Sequence, residues 1–358
     1  MPFRVSRELE CGSVADGELA VGCKHCTEGS KLVLFVTGRC TTGCKYCPVS
    51  LERKGKADTY ANELKIMSDE EIIAEAEAMD ATGTGITGGD PLQDFDLTLH
   101  YLEMVKDRFG PEHHVHLYTS TLDSEKVKRL RDAGLDEIRF HPREEKWMNF
   151  DTSELEKILK IDGLDVGLEV PALPEREKDL DSLLSRAFDA GISFANLNEL
   201  EFSESNWDMM ENQGYRPKDD ISAAVEGSEE VALGLIEKHP GKRIHYCSSS
   251  FKDGIQLRRR LMRRAENTAK EYEVVTEDGT VLKGLVYADN VSEASEYLKN
   301  EFDVPDILIF ADEERGRLET APWVLQEIAD ELPYKCYIVE EYPTADRLEV
   351  ERMPLGRS

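Results

Sequence analysis

Hydrophobic and polar positions along this chain follow two alternating textures. "KLVLFVTG" (31–38) is a continuous apolar run ending in glycine, the pattern of a strand buried in a parallel sheet. "SDEEIIAEAEAMDATG" (68–83) instead places Ile72, Ile73, Ala76 and Met79 at helical spacing, with Ser68 as cap and Glu71 completing a capping box. The alternation then repeats. Strands are expected at 83–91, 114–121, 136–142, 164–174 and 194–202, and helices at 95–110, 123–134, 151–162 and 178–191. Strands alternating with helices in this way predict an α/β fold whose parallel sheet is wound by right-handed βαβ units. The six units make a partial (βα)6 barrel, short of the roughly eight in a closed one. A helix at 228–239 and one more strand at 243–250 follow.

The flanks have other textures. Residues 1–30 read as an irregular, cysteine-containing extension, 31–255 as the partial barrel and 256–270 as a basic linker helix. The remainder, 271–358, reads as a small α+β domain. It opens on a hairpin around Glu277, Asp278 and Gly279, followed by a helix (292–302), a strand (306–312), a helix (322–332) and a strand (335–342). No internal repeat or low-complexity segment interrupts this order. No apolar run approaches the roughly 18 residues of a membrane span, and "MPFRVSRELEC" lacks a signal peptide's apolar stretch. A cytoplasmic protein is expected.

Charge narrows the function classes. The 358 residues carry a formal net charge of −29, and such a field repels phosphates, which argues against general nucleic-acid binding. An acidic surface of this kind suits solubility in a salty cytosol, or attraction to a basic partner. Against it stands "QLRRRLMRRAEN" (256–267), in which Arg258, Arg259 and Arg260 lead a run of five arginines. These either pair with acidic neighbours along a linker helix or contact an anion, whether a substrate, RNA or an acidic partner. The "EHHVH" stretch (112–116) sits at the beginning of a strand, the end that serves stability in barrels rather than chemistry.

The eight cysteines change the picture most. They are too clustered, in too long a chain, for a disulfide framework, so metal ligation in a reducing compartment is the better reading. Cys40, Cys44 and Cys47 read C-x3-C-x2-C, and upstream Cys23 and Cys26 read C-x2-C. Two assignments compete. Cys23, Cys26, Cys44 and Cys47 match the spacing of a tetrahedral zinc ribbon, which leaves Cys40 idle. Alternatively, Cys40, Cys44 and Cys47 ligate a [4Fe–4S] cluster and leave one iron open, as catalysis requires. Context favours the second. The loop follows the first strand of a βα barrel, where barrel enzymes place their chemistry, Tyr46 precedes the last cysteine, and "GGDP" ends the next strand.

C-x3-C-x-aromatic-C with a downstream Gly-Gly-acidic-Pro, over roughly residues 31–250, resembles the radical S-adenosylmethionine (SAM) superfamily. Within it, the layout is similar to pyruvate formate-lyase activating enzyme and related archaeal proteins. The resemblance implies that the methionyl group of SAM chelates the open iron. It implies that Gly88, Gly89 and Asp90 face the methionyl amine and that Tyr46 lies near the adenine. Such families usually carry Glu where this chain has Asp90, one methylene shorter. Reductive cleavage of SAM would then give a 5′-deoxyadenosyl radical that abstracts hydrogen from a substrate. Among other strand ends (Thr119, His141, Asn196, Asn198 and Glu199 included), Ser120, Arg139 and Glu169 are the candidate SAM or substrate contacts.

The remaining cysteines need a site of their own. Cys11, Cys23, Cys26 and Cys247 would supply four ligands for zinc or an auxiliary Fe–S cluster, while its place within an apolar strand makes Cys336 a core residue. A redox dithiol at Cys23 and Cys26, or inert thiols, are the alternatives. The resemblance implies a protein or peptide substrate, such as a glycyl-radical partner, and an electron donor such as ferredoxin or flavodoxin. RNA modification, motivated by the arginines, is the alternative within the same chemistry. An Fe–S or zinc binding protein without SAM chemistry is the alternative outside it.

Overall fold

The computed structural model describes residues 6–356. They divide into two compact units, one holding residues up to Glu77 and Ala81–Leu257, the other Ala78–Asp80 and everything from Arg258 onward.

The first unit is built on seven parallel strands: β1 (Lys31–Phe35), β2 (Gly83–Thr87), β3 (His114–Thr119), β4 (Glu137–Phe140), β5 (Asp165–Pro171), β6 (Phe194–Asn198) and β7 (Ile244–Cys247). They lie in chain order across an eleven-stranded sheet, each parallel to the next. Short antiparallel hairpins finish both edges, Tyr60–Ala61 with Leu64–Lys65 beside β1, and Arg7–Glu8 with Val14–Asp16 beside β7. The connecting helices start and stop where their sequences signal. Asp123 accepts from Lys126 N at the start of Ser124–Asp132, and Glu71 reaches back to Ser68 N ahead of Asp69–Ala78. Gly191 closes Glu177–Ala190 in the left-handed conformation.

Period-2 alternation divides the strands sharply. Leu34, Ile86, Leu117, Ile138, Leu168, Leu197 and Tyr246 are fully buried on one face. The other, inner face carries His116, Tyr118, Glu137, Arg139, Glu169, Asn196 and His245.

Residues 7–27, irregular by their sequence, are ordered into an edge hairpin and a helix, α1 (Val21–Thr27). Neither has a strong local pattern; both are fixed by what they pack on. The α1 helix lies against the inner face. Gly22 N donates to Glu137 Oε2 (3.1 Å), Asn196 Nδ2 donates to the Cys23 sulfur (3.2 Å), and His25 stacks on His114 at 5.4 Å. Gly22 is required by this contact: a Cβ there would stand 2.7 Å from both Arg139 Nη2 and His116 Nδ1. Of the histidines in the "EHHVH" stretch, His114 and His116 join this packing, whereas His113 lies on the other face, bonding Thr84 Oγ1 at 2.8 Å.

The second unit is an antiparallel sheet ordered Ile309–Asp312, Arg317–Thr320, Val281–Tyr287, Lys335–Glu341, Glu349–Leu355, with Val274–Val275 on Val281–Tyr287. Arg317–Thr320 and Glu349–Leu355 are not marked by their sequences, the latter because an exposed edge needs no apolar face. Helices Val291–Phe302 and Pro322–Ile328 bury Ala294, Leu298 and Leu325 with Val286, Leu318 and Cys336. Lys283, buried in this sheet, pairs with Glu319 (2.8 Å) and Glu341 (3.0 Å). The basic run forms helix Arg258–Thr268, where Arg263 pairs with Asp80 and Arg258 donates to the Glu277 carbonyl. Arg259 and Arg260 are partnered as well.

Packing on the two faces of the sheet sets two expectations for stability. Gly22→Ala overpacks the α1 contact and should cost about 1–3 kcal/mol in urea unfolding. Burial lowers His113 and His114 to about 4 from 6.5. Both are therefore neutral in the native state, whereas the unfolded chain takes up protons below 6.5. Stability should be complete above that pH and fall as pH drops towards 4. The melting temperature should show this slope, and His113→Gln should make it shallower.

Candidate active site

The loop after β1 carries Cys40, Cys44 and Cys47 to the C-terminal end of the sheet. Its ends are tied together, Gly38 N donating to Lys56 O and Gly55 N to Gly38 O, both at 2.8 Å. The segment after β6 braces it from outside: Asn206 Nδ2 donates to Tyr46 O (3.1 Å) and Ser205 Oγ to Cys47 O (3.2 Å). Beneath the loop lies a cavity of about 350 Å³ lined by all three cysteines, Tyr46, Gly88, Gly89, Tyr118, Ser120, His141 and Glu169, among others.

Of the residues expected here from sequence, Asp90 and Arg139 stand behind the wall rather than in it. Asp90 is fully buried. One of its oxygens accepts from Thr119 Oγ1 (2.6 Å) and Leu92 N, the other from Ser120 Oγ (2.7 Å) and Thr121 Oγ1 (2.6 Å). With four donors already in place, this carboxylate fixes the hydroxyl end of β3 and caps the turn that follows it in sequence. The shorter side chain suits that inward role. The two glycines are small for a related reason. A Cβ on Gly88 would meet Thr37 O at 2.5 Å and one on Gly89 would meet Arg39 O at 2.4 Å. They let the β2 turn seat against the cysteine loop, and Gly89 N and Asp90 N bond to those same two carbonyls.

Arg139 is the centre of a buried ion triad. It pairs with Glu137 at 2.5 Å and with Glu169 at 2.9 Å. Glu169 also accepts from Asn196 and Asn198, both at 2.7 Å. Burial works to raise the Glu169 carboxyl, but Arg139 and the two amides outweigh it and hold the group below its ordinary range. The cavity thus has a fixed anionic wall.

His141 is among the strand-end residues that sequence marks, though not among the preferred contacts. Alternation from Glu137 through Arg139 is the signal that points it inward. Its Nδ1 lies 2.8 Å from Glu169 O, which can only accept, so Nδ1 carries the proton. Burial lowers the ring's pKa and keeps it neutral, leaving Nε2 to accept from Tyr46 Oη (3.0 Å) beside the Cys44 sulfur (4.0 Å). Burial pushes the Cys44 thiol up to about 11, although its contact with Tyr46 works in the opposite direction.

All eight cysteines are free thiols. Among the described residues, no three His, Cys, Asp or Glu side chains gather closely enough to hold a single metal ion. A tetrahedral zinc site would need sulfurs only ~3.8 Å apart, as Zn–S bonds of ~2.3 Å dictate. An iron–sulfur cube instead takes each thiolate on a different iron. Three thiols on one loop over an open cavity are the donor set that a [4Fe–4S] cluster with one open iron would take.

Comparison with known proteins agrees with this chemistry. Residues 34–142 match the model of the radical SAM superfamily, and residues 279–355 match a domain of unknown function, DUF8061. The chain is 43% identical, over 94% of its own length and 93% of the relative's, to "Putative glycyl-radical enzyme activating enzyme MJ0021" of Methanocaldococcus jannaschii. It is 31% identical to biotin synthase of Shewanella frigidimarina over 30% of each chain. Solved structures give weaker likenesses. The [FeFe]-hydrogenase maturase HydG shares 15% identity over 61% of this chain and 52% of its own, TM-score 0.39. The methyltransferase TsrM of Kitasatospora setae, with cobalamin and a [4Fe-4S] cluster, shares 12% over 67% and 51%, TM-score 0.36. The chain thus spans about half the length of these two structures. No helix among the described residues is long and apolar enough to cross a membrane.

Removing the cation of the triad should expose its importance. Arg139→Met strands Glu137 in a dry interior and should cost about 3–5 kcal/mol in urea unfolding. Adding Glu137→Gln to that variant should recover part of the loss.

Proposed function

The chain is a radical SAM enzyme, a member of the radical SAM superfamily, and on that premise we propose that it activates a protein partner by abstracting hydrogen from it, the partner being a glycyl-radical enzyme. The observation that carries this reading is the near full-length relative bearing that activity in its name. The thiols of Cys40, Cys44 and Cys47 would hold a [4Fe–4S] cluster. With S-adenosylmethionine bound there, the cluster would supply the one electron for its reductive cleavage to methionine and a 5′-deoxyadenosyl radical.

The chain's own residues shape that chemistry. Gly88, Gly89 and Ser120 present backbone and hydroxyl groups to the cavity, with Asp90 holding Ser120 from behind. Glu169, steadied by Arg139, offers a carboxylate to hydroxyl or ammonium groups. Tyr46 and His141 form a neutral, dry flank beside Cys44, which shields a reactive intermediate from water. The electron comes from a reduced carrier such as ferredoxin or flavodoxin, in a reducing, cytoplasmic compartment consistent with eight free thiols. Arg258 donates to the Glu277 carbonyl and Arg259 and Arg260 are partnered as well, so no step is assigned to these arginines.

Reconstituted anaerobically, the protein should release 5′-deoxyadenosine from S-adenosylmethionine and dithionite, and Cys44→Ala should abolish this. Release that survives the substitution refutes the cluster assignment. Deuterium on the glycine α-carbon of the partner enzyme should appear in the deoxyadenosine. A partner that reacts with no such transfer refutes the proposed substrate class.

A further inference from the structure

Cys11, Cys23, Cys26 and Cys247 lie far apart in the chain and take no part in the site just described. Three of them face one region of the inner face. Cys23 and Cys26 are one turn apart on α1, and Cys247 ends β7. Cys247 is buried, and both Cys23 and Cys26 are close enough to act on it electrostatically. Cys11 arrives from the edge hairpin. Its carbonyl accepts from Ser248 Oγ at 2.6 Å, immediately after Cys247, and its sulfur lies 3.6 Å from where a Cβ on Gly254 would stand. Gly254 belongs to a π-helical turn, Lys252–Leu257, which packs against α1. Such turns are rare and concentrate at functional sites.

Two further observations point to a bound group. His245 shares the inward face with Cys247, two residues on, and is 5% exposed, yet neither ring nitrogen has a hydrogen-bond partner. A buried imidazole with two orphaned nitrogens is costly unless something else meets it. Asn196 Nδ2 donates to the Cys23 sulfur as well, the kind of contact that tunes cluster sulfurs.

We propose that Cys11, Cys23, Cys26 and Cys247 hold a second iron–sulfur cluster, packed between α1 and the end of β7. Asn196 links it to the first site: Asn196 Nδ2 donates both to the Cys23 sulfur and to Glu169, whose carboxylate lines the cavity. The cluster would staple the N-terminal segment to the last strand, two elements with no covalent link of their own.

Metal counting on the full chain tests this without any assay of activity. Anaerobically reconstituted wild type should carry about eight irons, and the Cys40→Ala/Cys44→Ala/Cys47→Ala variant about four, two [4Fe–4S] clusters and one respectively. Adding Cys23→Ala should remove the remaining iron or alter its electron paramagnetic resonance signal. Cys11→Ala, at an exposed position, should do the same if the buried change impairs folding. A folded loop variant that binds no iron overturns the proposal, as does one that binds a single zinc instead. Either result leaves the first cluster, and the proposed function, standing.

Discussion

Arg139 is the constraint around which the first unit is arranged. A guanidinium with 2% of its side chain exposed must be paired, and Glu137 and Glu169 pair it from neighbouring positions on β4 and β5. Glu137 then takes the Gly22 amide, which fixes α1 on the inner face. Glu169 takes Asn196 and Asn198, which lock the polar side of β6 and turn a carboxylate toward the cavity. Structural and functional halves of the unit thus share one buried charge.

A second theme is indirect support. Asp90 and Arg139 stand outside the cavity lining, yet each orients a residue within it, Ser120 and Glu169. Glycines at 88 and 89 serve the packing of one loop on another. Positioning of this kind separates binding groups from the groups that hold them, and it explains why a shorter acid is accommodated at position 90.

Much was legible in the chain itself. Apolar runs and helical periods located the βα units because each pattern directly reflects which face must be buried. That Cys40, Cys44 and Cys47 would line one cavity was legible because their loop is local: all three thiols lie within eight residues. The hairpin and helix before residue 31 were not, since their stability comes from contacts with residues more than a hundred positions away, such as Gly22 with Glu137 and Ser13 with Ser248.

The sequence by itself therefore determined the class of chemistry and the order of the sheet, both written in short-range spacing. Tertiary structure decided which polar strand residues reach the cavity and which stand behind it. Alternation assigns a side chain to a face, but only packing decides whether neighbours have already claimed its hydrogen bonds. For Asp90 four donors had, whereas for Glu169 the three that bind it leave its carboxylate facing the open space.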